Sequence, residues 1–261
     1  MKIIVTNDDG VYSPGLWTAV DALQGLGEVV VVAPDREQSG VGSSITLHVP
    51  VRATQVDPRI KGITTYAVEG TPADSVILAL EHLVPGVGLV ISGINQGTNL
   101  GEDVLVSGTV GAALQGFVRG VASLAVSVAA LQDPHFEVGH QVVRTLSRAI
   151  YNGSITSPVL LNVNIPNKLP GEIKGIDITR MGRRSFTEVV QSGEDSRKRP
   201  YYWIKRERDS SPKKPTRGTD MWAVKNSRIS ITPLGADLTH RGNVRAIRAI
   251  VDGLTLTIST K

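Results

Sequence analysis

Two adjacent carboxylates, Asp8 and Asp9, stand between a short β-branched run, Lys2 to Thr6, and Gly10. Side by side they repel, and they are stable together only if a cation, hydrogen-bond donors or bulk water compensates. A hard divalent cation is the natural compensator, because it takes oxygen ligands. Asp-Gly is also ordinary turn chemistry. Position is what gives the pair weight: ligands of open α/β sheets bind outside the carboxyl ends of the strands, and the apolar run before Asn7 reads as such a strand.

Three further segments follow apolar runs in the same way. Pro34-Asp35-Arg36-Glu37-Gln38-Ser39-Gly40 offers the Ser39 hydroxyl to a cation or a phosphate, and Arg36 to a phosphate or to solvent. Ser92-Gly93-Ile94-Asn95-Gln96-Gly97-Thr98-Asn99-Leu100-Gly101 is richer in Gly and Asn than a simple connector needs. It suits a loop whose backbone approaches a ligand closely, and Asn95 offers a neutral carbonyl oxygen. Ser107-Gly108-Thr109-Val110 opens a helix-like stretch. The free N–H groups and dipole of a helix start attract anions, although Ser107 also reads as a simple N-cap. Together these loops offer two carboxylates, a hydroxyl, an amide and an anion site. That set suits one magnesium or manganese ion facing a phosphate ester, with the metal lowering the pKa of a bound water and neutralising phosphoryl oxygens. Neither a Walker A loop nor a dinucleotide fingerprint is present.

The elements that must position these loops alternate. Lys2–Thr6, Glu28–Ala33, Leu89–Ile91, Ser123–Val128 and Val159–Val163 read as strands, the third breaking at Ser92-Gly93. Pro14–Leu26, with Leu16, Ala19, Val20 and Leu23 on one face, reads as a helix, as do Ser107–Val118 and Val138–Tyr151. Thr71-Pro72-Ala73-Asp74 reads as a helix start with Thr71 as N-cap, followed by a buried stripe at Ile77, Leu80 and Leu83 or Val84. Strand and helix in alternation predict an α/β fold, a mostly parallel sheet covered by helices on both faces. After Pro166 the pattern changes. Arg180–Arg217, with Tyr201-Tyr202-Trp203 between basic clusters, reads as an extended arm or hairpin. Arg228–Thr232 reads as a strand, and Val244–Thr260 as a helix and strand that dock.

Composition bounds the rest. The 261 residues are 41% hydrophobic and 20% charged, enough for one sizeable core and too apolar for wholesale disorder. The absence of cysteine excludes disulfides, zinc-thiolate sites and a Cys nucleophile. The amino terminus carries no signal-peptide pattern, and the longest apolar stretch, near Val121–Leu131, is far too short to span a bilayer. The net charge of +4 is local: Arg180–Arg217 holds 12 of the 28 Lys/Arg and 5 of the 24 Asp/Glu, so the remainder is net acidic. None of His48, His82, His135, His140 and His240 pairs with another at metal-ligand spacing; His135 and His140 read as a loop residue and a surface-face residue.

The four rim segments, in this order, closely resemble the SurE family of metal-dependent nucleotidases. Thr6-Asn7-Asp8-Asp9-Gly10, Ala33-Pro34-Asp35-Arg36 with Gln38-Ser39-Gly40, Ser92-Gly93-Ile94-Asn95 with Gly97 and Asn99, and Ser107-Gly108-Thr109-Val110 match its motifs, as do Glu69–Asp74 and Gly218-Thr219-Asp220. The resemblance runs to about residue 235. It implies a Rossmann-like core and hydrolysis of nucleoside 5′- and 3′-monophosphates to nucleoside and phosphate. It implies one divalent ion (Mg2+ or Mn2+) per subunit on Asp8, Asp9, Ser39 and Asn95, the first two also catalytic, with Asn99, Ser107, Gly108 and Thr109 on the phosphoryl oxygens. It implies a single domain with a core of about 1–175 and 218–235. An arm of about 176–217 and a C-terminal element of about 236–261 would exchange between subunits of a cytoplasmic homodimer or homotetramer. The family usually has an aromatic residue where this chain has Val106.

Two rivals stand beside this reading. A haloacid-dehalogenase-like phosphatase, working through an aspartyl-phosphate, expects Asp-x-Asp where this chain has Asp-Asp. A nucleic-acid-binding module would use Tyr201, Tyr202 and Trp203 among the basic residues of the arm; the net acidity of the rest disfavours it.

Overall fold

Lys2–Thr6 forms β1, and its apolar side chains are buried on both faces. The computed structural model describes residues 1–155, 158–183, 186–208, 214–239 and 247–251. In it β1 lies inside a sheet whose other strands are β2 (Glu28–Pro34), β3 (Ala53–Gln55), β4 (Thr64–Val68), β5 (Val87–Gln96), β6 (Ala122–Val128), β7 (Leu160–Ile165), β8 (Ile176–Ile178) and β11 (Ile229–Leu234). The nine strands run in the order β3-β4-β2-β1-β5-β6-β7-β11-β8. From β4 to β7 every pairing is parallel, and β3 and β11 are antiparallel to their inner neighbours. The chain moves to opposite sides of β1 with β2 and β5, so the carboxyl end of β1 is a switch point, where such sheets open a crevice.

Alternate residues of each strand feed two cores. Ile3, Val5, Val31, Ile91 and Val126 pack beneath α1 (Pro14–Ala22) and α4 (Glu137–Tyr151); Ile4, Val30, Val32 and Val90 pack beneath α2 (Pro72–Leu78) and α3 (Gly108–Val118). The expected mostly parallel sheet with helices on both faces is the observed one. Leu16, Ala19, Val20 and Leu23 are fully buried. The helical cap at Thr71 is a reciprocal box: the Asp74 N–H donates to the Thr71 hydroxyl (3.0 Å) and the Thr71 N–H to Asp74 (2.9 Å).

Several details differ from the sequence reading. β5 does not stop at Ser92-Gly93 but continues to Gln96, with a register shift against β6 between Ser92 and Asn95. The buried stripe of α2 is Val76, Ala79 and Val84, with Leu80 and Leu83 half-buried beside it and Ile77 off its centre; the helix widens into a π turn at Ala79–Leu83, which shifts the phase. The short strands β3 and β8 at the two edges, and β4 beside β3, carry no apolar run that announces them. β8, counted with the arm in sequence, belongs to the main sheet, where Arg228 clasps Asp177 through two 2.7 Å hydrogen bonds. The arm proper is a separate antiparallel hairpin, β9 (Phe186–Glu194) and β10 (Pro200–Arg208). Beyond it, α5 (Asp220–Lys225) leads into β11. Of the expected C-terminal helix and strand, residues 247–251 are helical, with Ile247, Ile250 and Val251 at least half exposed. The rest of that tail, and His240, lie outside the described residues. No described helix is long and apolar enough to cross a membrane.

Candidate active site

The turn after β1 is built before any ligand is considered. The Asn7 side chain donates to the Gly10 carbonyl (3.1 Å) and the Ser13 hydroxyl (2.6 Å) and accepts from the Gly10 N–H (3.2 Å). Gly10 has φ +100°, and a Cβ there would stand 3.3 Å from the Arg36 backbone, so glycine answers both the conformation and the contact. On this frame Asp8 and Asp9 meet different neighbours.

Asp8 turns toward α3 and is 5% exposed. The Thr109 hydroxyl donates to its Oδ1 at 2.6 Å. A Cβ on Gly108 would lie 2.9 Å from both Cβ and Oδ2 of Asp8, so only glycine lets the helix start reach the carboxylate. Burial pushes the Asp8 carboxyl up despite the opposing Thr109 hydrogen bond, with Glu37 adding to the rise. Asp9 turns toward the rim cleft, its Oδ2 accepting a long 3.4 Å bond from the Gln96 N–H. Burial first, then Asp8 beside it, push the Asp9 carboxyl from 3.8 to about 7; Glu37 adds to the rise and the Gln96 N–H opposes it. Every formal charge bearing on the pair is negative.

Ser39 and Asp9 line one cleft, and the Ser39 hydroxyl donates to Glu37 (2.7 Å). The loop that carries Ser39 is held at its far side: Thr46 donates from its N–H (2.9 Å) and hydroxyl (2.6 Å) to Asp74, and the Gly42 N–H donates to Val106 (3.0 Å). Asn95 is 8% exposed near the end of β5; its amide nitrogen donates to Gly97 (2.9 Å), which leaves Oδ1 as the free end of the group. Among the described residues no three His, Cys, Asp or Glu side chains gather to hold a metal. The candidate donors are therefore two carboxylates completed by neutral oxygens. A buried carboxylate and a half-buried one that repel each other fit a hard divalent ion that keeps several of its waters.

On the other side, Ser107 caps α3, accepting from the Val110 N–H (3.1 Å), which leaves its hydroxyl proton to donate outward. Gly108 opens the helix, where N–H groups have no intrahelical partner. Thr109 is fully buried and its hydroxyl is committed to Asp8, so its side chain holds the carboxylate. Asn99 is held from three sides. One amide hydrogen goes to Ser127 (2.8 Å), its N–H goes to Asn164 (2.9 Å), and its carbonyl accepts from Asn162 (2.8 Å) and Asn164 (3.0 Å). The second amide hydrogen stays available.

Four contributors lay outside the sequence reading of the site. Glu37 sets the local field. Asn162 and Asn164, two residues apart in an otherwise apolar strand, face one side, and that alternation was a readable signal. Asp220, fully buried, accepts from the N–H groups of Gly101 (2.7 Å), Gly182 (2.8 Å) and Met221 (2.7 Å). It ties the Asn99 loop to the root of the arm.

Comparison with known proteins gives this geometry relatives. A family model described as survival protein SurE matches residues 3–188. The chain is 47% identical over 237 residues to a 5′-nucleotidase SurE of Dehalococcoides mccartyi, covering 90% of this chain and 88% of that protein. It is 45% identical over 241 residues to a 5′-nucleotidase SurE of Moorella thermoacetica, covering 92% of each. The crystal structure of the SurE protein from Aquifex aeolicus superposes with a TM-score of 0.80 at 40% identity, over 96% of this chain and 99% of that one.

Proposed function

The chain belongs to the SurE family, and from that membership and the rim geometry we propose that it is a nucleotidase. It hydrolyses nucleoside 5′-monophosphates, and 3′-monophosphates as well, to nucleoside and inorganic phosphate. The relatives named 5′-nucleotidase support the substrate class. The observation that carries the reading is the Asp8–Asp9 pair, Asp8 buried against the start of α3 and Asp9 half-buried at the cleft, with both carboxyls pushed up.

In this reading Asp8, Asp9, Ser39 and Asn95 hold one magnesium or manganese ion. When bound, the ion neutralises phosphoryl oxygens and makes water a better nucleophile. The chain's own groups do the remaining work. The Thr109 hydroxyl fixes the orientation of Asp8. The Gly108 N–H, the Ser107 hydroxyl and the spare Asn99 amide hydrogen donate to the phosphoryl oxygens, helped by the positive end of α3. Water adds to phosphorus as the ester P–O bond breaks, and the proton that water loses ends on the departing oxygen, so the nucleoside leaves as the alcohol and inorganic phosphate remains. The arm and the C-terminal segment serve self-association into a homodimer or homotetramer; the exposed Tyr202, Trp203 and Ile204 support this.

The test is phosphate release from a panel of nucleoside 5′- and 3′-monophosphates with EDTA, magnesium or manganese, beside Asp8→Asn. Metal-dependent release that the variant lacks is expected. No release from folded protein with either metal would reject the assignment.

A further inference from the structure

Resting on the nucleotidase reading, we propose that the cleft on the outer side of Asp9 is the nucleoside subsite, with the base stacked on Tyr12. The cleft has a volume of about 520 Å³, inside the roughly 300–1,000 Å³ range of small-molecule sites. Three rim loops and Leu131 line it: the segment from Asp9 to Pro14, Asp35 to Glu37 with Ser39, and Gln96. It opens directly on the carboxylate, so a ligand reaching the ion from this side lies along these walls.

Its two large apolar walls are oddly placed for structure and well placed for a base. Tyr12 is 44% exposed and Leu131 is 82% exposed. Leu131 leans over the rim, its Cδ2 3.2 Å from where a Gly97 Cβ would be. Tyr12 stands on a rigid backbone. Val11 donates to Pro34 (2.8 Å) and accepts from the Trp17 indole (2.8 Å), while Ser13 donates its N–H to Gly10 (3.0 Å) and its hydroxyl accepts from Asn7 (2.6 Å). The Arg59 guanidinium lies over the ring at 5.8 Å and can steady it by a cation–π contact. A fixed aromatic ring left in water beside the reacting centre is a stacking platform waiting for a flat partner.

The polar lining selects the rest of the ligand. Asp9, Asp35 and Glu37 are acceptors, and Arg36 is the cleft's one basic lining residue, 3.9 Å from Asp35. Carboxylates suit the hydroxyl donors of a ribose. Asp35 and Glu37 outweigh the single positive charge of Arg36 in the lining, which disfavours a polyphosphate chain there. The cleft therefore takes a neutral nucleoside, while the phosphoryl group lies at α3.

The test compares wild type, Tyr12→Ala and Tyr12→Phe on adenosine 5′-monophosphate and on ribose 5-phosphate, which carries the same phosphoryl group without a base. Stacking contributions imply that Tyr12→Ala raises KM for the nucleotide by about fivefold to about a hundredfold. Tyr12→Phe should stay close to wild type, and KM for ribose 5-phosphate should be unchanged in all three. An unchanged nucleotide KM in Tyr12→Ala, or an equal rise for ribose 5-phosphate, would overturn the subsite. Calorimetric binding of adenosine alone separates this inference from the activity. Binding that Tyr12→Ala abolishes supports the subsite even for a protein without turnover, and no binding to wild type refutes it.

Discussion

Removing the charge of Asp9 should stabilise the metal-free protein while abolishing turnover. The folded-state carboxyl sits at about 7 against 3.8 for the free group, so it is raised. A raised acid binds its proton more tightly when folded. Its contribution to stability is thus complete below about pH 4, and it is lost as pH rises through about 7. At about 1.4 kcal/mol per pH unit, the full displacement corresponds to about 4 kcal/mol. Asp9 is only partly buried and solvent screens it, so about 2 kcal/mol is the expected loss. For a chain of this length that is roughly 4–8 °C in melting temperature. Asp9→Asn keeps the shape and removes the titration. In EDTA, thermal unfolding by circular dichroism should show the variant and wild type melting together near pH 4. The gap should open in the variant's favour up to about pH 7 and then level. Excess magnesium or manganese should close it by raising the wild type more than the variant, because an ion that binds only the folded state stabilises by mass action. A gap of constant size across this range, or a variant that melts below wild type at pH 8, would refute the electrostatic account of the pair.

Two other perturbations probe its surroundings. Gly108→Ala puts a methyl group 2.9 Å from Asp8. It should cost about 1–3 kcal/mol in urea unfolding and remove metal-dependent phosphate release; wild-type turnover would show that α3 does not need this approach. Asp220→Ala leaves the N–H groups of Gly101, Gly182 and Met221 without their acceptor. A loss of about 3 kcal/mol or more is expected, together with a raised KM from the loosened Asn99 loop. Unchanged stability and KM would remove Asp220 from the positioning scheme.

Much of the framework was legible in the chain because local physics dictates it. β1 and β2 are dominated by β-branched and aliphatic residues that satisfy both faces of a covered sheet, and β6 and β7 are mainly apolar with Ser or Asn between. Thr71-Pro72 and Ser107 mark helix starts by their capping chemistry, and Asp8 and Asp9 lie at a strand's carboxyl end, as their place after Thr6 implied. What escaped was tertiary. β3, at the sheet edge, is short and half polar. β5 runs on through Gly93 because β6 supplies partners beyond the register shift. That Thr109 serves Asp8 and that one buried carboxylate at Asp220 holds two loops are facts of through-space proximity, which no local pattern encodes.

The long reach of these contacts has a consequence for how the protein comes into being. Thr109 meets Asp8 across 101 residues, and Asp220 meets Gly101 across 119. Contacts of such separation carry a large loop-closure entropy and form late. In a chain emerging from its amino terminus, β1 and β2 can pair while Asp8 and Asp9 are still hydrated and repel little. Asp8 is buried against Thr109 only when α3 arrives, and the Asn99 loop is clamped only after residue 220. Only the strands from β1 to β5 precede α3 in the chain, so that half of the sheet is what can receive the helix start when it first meets Asp8.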